Sequence, residues 1–156
     1  MDNDALVAAL GRDADAAVRG YRAQVITEAW WRGLRLRAQT RPDADPIDIR
    51  LSFQYCVGRA DLAGRTLRWS AAHGWSSSHV VANAPLSFYA GSPAAPLLLV
   101  PHAWEVVAWA GGECEGPATP PLGVDLDEDP RAIRRLIECI PHGEDGMAPE
   151  LDTRSG

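Results

Sequence analysis

Between Ile47 and Tyr55 the chain alternates without a break. Ile47, Ile49, Leu51, Phe53 and Tyr55 are apolar, and Asp48, Arg50, Ser52 and Gln54 between them are polar. A period of two puts the first set on one face of a strand and the second on the other. The segment therefore belongs in a sheet with one covered face and one wet face. Strands of a parallel sheet, covered on both sides, are apolar throughout, so the alternation points to antiparallel pairing. Leu34-Arg35-Leu36-Arg37 alternates in the same way. The stretch from Arg41 to Pro46, with two prolines and two aspartates, supplies the turn between the two runs.

Upstream the period is 3.6. Ala14, Val18, Tyr21, Val25 and Ala29 form one stripe of a helix spanning about Asp13–Trp31, with Asp13 at its N-cap and Gly33 as its stop. A shorter helix over residues 4–11 precedes it. Downstream, Arg65–Ser70 and Trp75–Val81 read as a hairpin in which Gly74 takes a left-handed turn position. The register so predicted sets Ala71 against Trp75, Trp69 against Ser77 and Leu67 against His79. Further strands are expected at Leu86–Tyr89 and Leu97–Val100. A helix opened by Pro101 follows near His102–Ala110, with Trp104, Val107 and Ala108 on one side. The last helix covers Arg131–Ile140, capped by Asp129, with Ile133, Leu136, Ile137 and Ile140 inward. Helices at both ends of a block of strands make an α+β domain: an antiparallel sheet of four to six strands with the N- and C-terminal helices packed on one face. We read residues 1–142 as one such domain, with 111–129 a long acidic loop rich in Gly and Pro, and 143–156 a flexible tail.

Composition removes several functions. All fifteen basic residues among the 156 are arginines. Without lysine there is no Walker A loop, no pyridoxal Schiff base and no kinase-type phosphate lysine. The formal charge of −6 speaks against nucleic acid as a partner. The charge is uneven: residues 1–70 carry 11 arginines and 9 acids, residues 71–156 carry 4 and 12. Most of that basic half reads as a solvated face, with a surface for an acidic ligand or partner as the sharper reading. The sequence has no apolar run of the ~20 residues that span a bilayer, and its acidic start leads us to expect no signal peptide. With Cys56, Cys114 and Cys139 scattered, a cytoplasmic location and no membrane partner are expected.

Six tryptophans, at 30, 31, 69, 75, 104 and 109, stand out. Large rings chiefly fill cores, but Trp69, Trp75 and His73 beside the hairpin turn could line a pocket for a flat organic ligand. Adjacent helical positions differ by about 100°, so Trp30 and Trp31 cannot both face inward, and a homodimer or partner contact there is an alternative. His73 and His79, six residues apart along a strand, lie about 20 Å from each other, too far to share a metal. His102 and Glu105 read as a first-turn polar pair, and Asp125–Asp129 lacks the glycine and terminal glutamate of a calcium loop. No metal and no cofactor are expected.

The Asp45-Pro46-x-Asp48 turn, the Leu67-Arg68-Trp69 strand leading to His73-Gly74-Trp75, and Val100-Pro101 opening a helix carry one further signal. Over residues 20–110 this arrangement resembles a family of small, uncharacterised actinobacterial α+β domains. The resemblance implies a cytoplasmic actinobacterial protein and brings no activity with it.

The sequence thus leads to a cofactor-free small-molecule-binding or regulatory interaction domain with a Trp-lined pocket formed by Trp69, Trp75 and His73. Its rival is a small cofactor-independent enzyme of specialised metabolism, an isomerase, cyclase or hydrolase. There His79 would be general acid or base, and Ser77 and Tyr89 would assist.

Overall fold

The computed structural model describes residues 3–39, 48–71, 73–79, 87–90, 99–112, 116–117 and 130–140. Within them the order is α1 (Asn3–Leu10), α2 (Ala14–Trp31), β1 (Leu36–Ala38), β2 (Ile49–Phe53), β3 (Arg65–Ser70), β4 (Gly74–His79), β5 (Ser87–Phe88), α3 (Ala103–Gly111) and α4 (Pro130–Glu138). The five strands form one antiparallel sheet in the order β1-β2-β3-β4-β5. Helices cover one of its faces, the α+β arrangement that the two periods imply.

The α2 stripe is buried as its spacing requires, from Ala14 through Val18, Tyr21 and Val25 to Ala29. Asp13 precedes the helix, but its carboxylate makes no capping bond. At the other end Gly33 adopts φ +78°, its N–H bonds the Trp30 carbonyl, and the Leu34 N–H reaches back to the Ala29 carbonyl at 2.8 Å. This Schellman closure turns the chain straight into β1. Gly20 serves packing instead: a Cβ there would collide with the Cys139 carbonyl, so α2 and the end of α4 touch only because residue 20 has no side chain.

The covered face of the sheet carries Leu36, Ile49, Leu51, Phe53, Leu67, Trp69 and Trp75, all buried. The other face carries Arg37, Arg50, Ser52, Thr66, Arg68, Ser70 and Ser78, all exposed or half-buried. α3 is held over the sheet by two arginines at its C-terminal end. Arg65 donates to the carbonyls of Ala110 (2.7 Å) and Gly112 (2.9 Å), and Arg59 to that of Gly111. Cations at that end also complement the helix dipole.

Four details depart from the sequence reading. The β3–β4 register is shifted by two residues: Trp69 faces Trp75, Leu67 faces Ser77, and Arg65 faces His79. A shift of two preserves which side chains share a face, and it places two indoles directly opposite each other. Tyr55 is not in β2. The chain leaves the strand at Gln54, the Cys56 thiol bonds the Gln54 carbonyl and accepts the Arg35 N–H, and Cys56 occupies the buried place. α3 buries Glu105, Val106, Val107 and Ala110, so Trp104 and Ala108 point outward. In α4 the buried set is Ala132, Leu136 and Cys139, which leaves Ile137 exposed. Leu99 and Val100 are buried without strand pairing; Ile47, Leu97, Cys114, the 125–129 acidic run and the C-terminal tail lie outside the described residues.

Candidate functional site

Trp69 and Trp75 stand side by side over Tyr21. The Tyr21 ring centroid is 6.0 Å from that of Trp69, edge-on, and 5.9 Å from that of Trp75. Each polar atom of the trio has a partner. Trp75 Nε1–H donates to Tyr21 Oη (2.9 Å), Tyr21 O–H donates to the Pro101 carbonyl (2.6 Å), and Trp69 Nε1–H donates to the Leu99 carbonyl (2.6 Å). All three rings are fully enclosed, at 0% exposure. Burial pushes the Tyr21 phenol far above its ordinary range. In this arrangement the indoles anchor the 99–101 segment to the hairpin and offer no surface to a solute.

His73, expected beside them, sits on the exposed turn with its ring against Phe88 (6.3 Å). Phe88 pairs with Ser76, whereas Trp75 pairs with Trp69, so Phe88 belongs to the face opposite the indoles. The grouping of Trp69, Trp75 and His73 is therefore divided between two sides of the sheet. His79 ends β4 opposite Arg65; its side chain lies outside the described residues.

Tyr89 does come together with a glutamate, Glu105, that the sequence reading assigned to a first-turn pair with His102. Ser77 is buried on the covered face. The Tyr89 N–H bonds the Trp75 carbonyl (3.0 Å), and its phenol donates to Glu105 Oε2 (3.1 Å). Glu105 is 5% exposed, and its Oε1 has no hydrogen-bond partner among the described residues. The Tyr89 ring meets Trp109 edge-on at 5.6 Å. Burial first, then the Glu105 charge, raises the Tyr89 phenol well above its ordinary range. A glutamate inside the apolar stripe of α3 was the available signal. His102, its supposed partner, stands at the N-cap position of α3, makes no side-chain capping bond, and stacks on Trp104 instead.

Three of the exposed aromatic residues lie on two adjoining segments; a fourth, Trp104 on α3, is 49% exposed. Trp30 and Trp31 end α2 at 57% and 77% exposure, and Tyr55 and Val57 follow β2 at 78% and 84%. The backbone brings these segments together at one end of the molecule, because the Arg35 carbonyl accepts the Gln54 N–H (2.9 Å) and the Arg35 N–H meets Cys56 Sγ (3.4 Å). The Arg35 guanidinium lies 3.6 Å from the Trp30 ring centre, a cation–π stack. Arg32 is bridged to Glu28 at 3.0 Å, and Arg37 is exposed beyond it.

Among the described residues no group of His, Cys, Asp and Glu is placed to hold a metal ion, and no helix is long and apolar enough to cross a membrane. Comparison with protein-family models, curated proteins and solved structures finds no match.

Proposed function

We propose that this domain is an interaction module that binds an acidic partner protein through its aromatic end. The observation that carries this reading is the exposure of Trp30, Trp31, Tyr55 and Val57 around the Arg35–Trp30 stack. Trp, Tyr and Arg are the residues on which interface energy concentrates, and large apolar groups gathered on a surface mark contact sites. The sequence-level idea of a binding domain is kept, but the surface moves from the hairpin to the α2 terminus. Charge selects the partner. Arg32, Arg35 and Arg37 flank the patch, with Glu28 as the nearby acid. A twofold dimer through this patch would set these cations against their own copies, so an acidic partner suits it better than a second copy.

The test is a photo-reactive benzoyl-phenylalanine in place of Trp31, with the same group at Val7 as control. The reading expects a discrete acidic adduct at position 31 that Arg35→Gln diminishes, and none at position 7. A homodimeric adduct at 31, or equal labelling at both positions, would reject it.

A second reading rests on Glu105. A buried carboxylate, with one oxygen unpartnered among the described residues, beside the Tyr89 phenol is a proton-handling pair, which suits a small cofactor-independent enzyme of specialised metabolism. Here Glu105 and Tyr89 would carry the chemistry, with Ser77 buried on the same covered face. Incubation with a metabolite extract tests it: a mass change made by the wild type and lost in a folded Glu105→Gln variant favours the enzyme, and no change rejects it.

A further inference from the structure

The wet face of the sheet carries a row of cations. Arg50 in β2 stands directly opposite Arg68 in β3, and Arg37 in β1 faces Ser52, the next residue of β2 on the same side as Arg50. Like charges facing each other across strands are destabilising unless something compensates them. Asp48 compensates one, accepting from Arg68 at 3.4 Å. Arg37 is exposed, and Arg50 has a buried Nε with no hydrogen-bond partner among the described residues. Ser52, Thr66, Ser70 and Ser78 surround them on the same face, with Thr66 and Ser78 hydroxyls 2.9 Å apart. The row begins beside Arg35, where the aromatic end stops.

We infer that Arg37, Arg50 and Arg68 form the charge-reading half of the interface, and that they take an extended acidic segment of the partner polypeptide laid across β1–β3. This rests on the interaction-module reading and specifies its partner. Three adjacent strands span about 10 Å at the usual spacing. That span matches three or four residues of extended chain, which can offer each guanidinium group its own carboxylate. Carboxylates suit the planar fork of arginine, which receives them in pairs. Base stacking, on which single-stranded nucleic acid depends, finds Phe88 buried on this face.

The test measures binding of a fluorescent deca-glutamate peptide by anisotropy at low salt (~10 mM, where charges act over about 30 Å). The wild type binds, and added salt weakens the complex. Arg37→Gln with Arg50→Gln weakens it roughly tenfold. Arg12→Gln with Arg19→Gln, which removes the same charge at exposed sites elsewhere, leaves it unchanged. Arg37→Gln alone, at an exposed position, gives a smaller loss and serves if the double variant does not fold. Failure of the wild type to bind, or equal losses in both double variants, overturns the inference. So does displacement of the peptide by equimolar inorganic phosphate, or equal binding of a deca-thymidylate. The Trp31 crosslink is independent of the peptide, so these failures leave the parent reading standing, whereas absence of that adduct removes the parent reading itself.

Discussion

Trp75 Nε1 lies 2.9 Å from Tyr21 Oη, joining the hairpin of the sheet to the middle of α2 inside a sealed core. The phenol passes the contact on by donating to the Pro101 carbonyl. Tyr21→Phe keeps the ring and removes this relay, leaving one donor and one acceptor buried and unpaired. At about 1–3 kcal/mol for each such group, the loss is about 2–6 kcal/mol, with roughly 2–4 °C in melting temperature for each kcal/mol in a chain of this size. Thermal unfolding followed by circular dichroism measures it. A shift within a degree of wild type would mean that the relay contributes nothing.

Gly20→Ala should destabilise the protein although alanine is the better helix former by about 1 kcal/mol. The new methyl meets a backbone carbonyl, that of Cys139, and cannot be relieved by a side-chain rotation. Cys139 reports on the consequence. It is buried, and burial pushes its thiol up to about 11, so iodoacetamide at neutral pH should leave it unlabelled in the native wild type. In Gly20→Ala, α4 is displaced and labelling becomes rapid. An equally protected thiol in the variant contradicts this packing.

Alkaline pH should unfold the protein through Tyr21 and Tyr89. Burial raises both phenols in the folded state above the value of about 10 that they have in the unfolded chain. Above pH 10 the unfolded state therefore sheds protons that the folded state retains, and stability falls as pH rises. Below pH 10 neither group contributes a slope. Absorbance near 295 nm, followed with far-ultraviolet circular dichroism, should show the phenolate signal that Tyr21→Phe removes growing only as structure is lost. A reversible signal of that origin in the folded protein would refute it.

The elements were legible where one period ran unbroken. The α2 stripe, its Gly33 stop and the β2 alternation depend on local spacing, and so does the left-handed Gly74, at φ +71°. What failed needed a distant partner. The β3–β4 register is set by two indoles meeting over Tyr21, fifty or so positions upstream. Tyr55 leaves the alternation because Cys56 finds Arg35 and Gln54. Glu105 looks like a helix-start acid until Tyr89 is seen beneath it. The same limit applies to function: six tryptophans are visible in the chain, yet which are core and which surface depends on the α2–sheet contact, and that reversed the expected order of interest between Trp75 and Trp31.

Trp31→Ala and Tyr55→Ala should leave the fold almost untouched, with stability changes within about 0.5 kcal/mol, since both side chains are chiefly in solvent. Trp30→Ala should cost somewhat more, about 0.5–1 kcal/mol, through loss of the Arg35 stack. Urea unfolding of the three variants checks the order. A larger loss in Trp31→Ala than in Trp30→Ala would indicate that residue 31 supports the fold.

The most direct trial of the aromatic end as a contact surface is the affinity of the partner captured at position 31, measured calorimetrically against wild type and Trp31→Ala. A central interface tryptophan is worth about 2 kcal/mol or more, so the variant should bind roughly thirtyfold more weakly while melting at the wild-type temperature. Undiminished affinity in a folded Trp31→Ala would contradict the account.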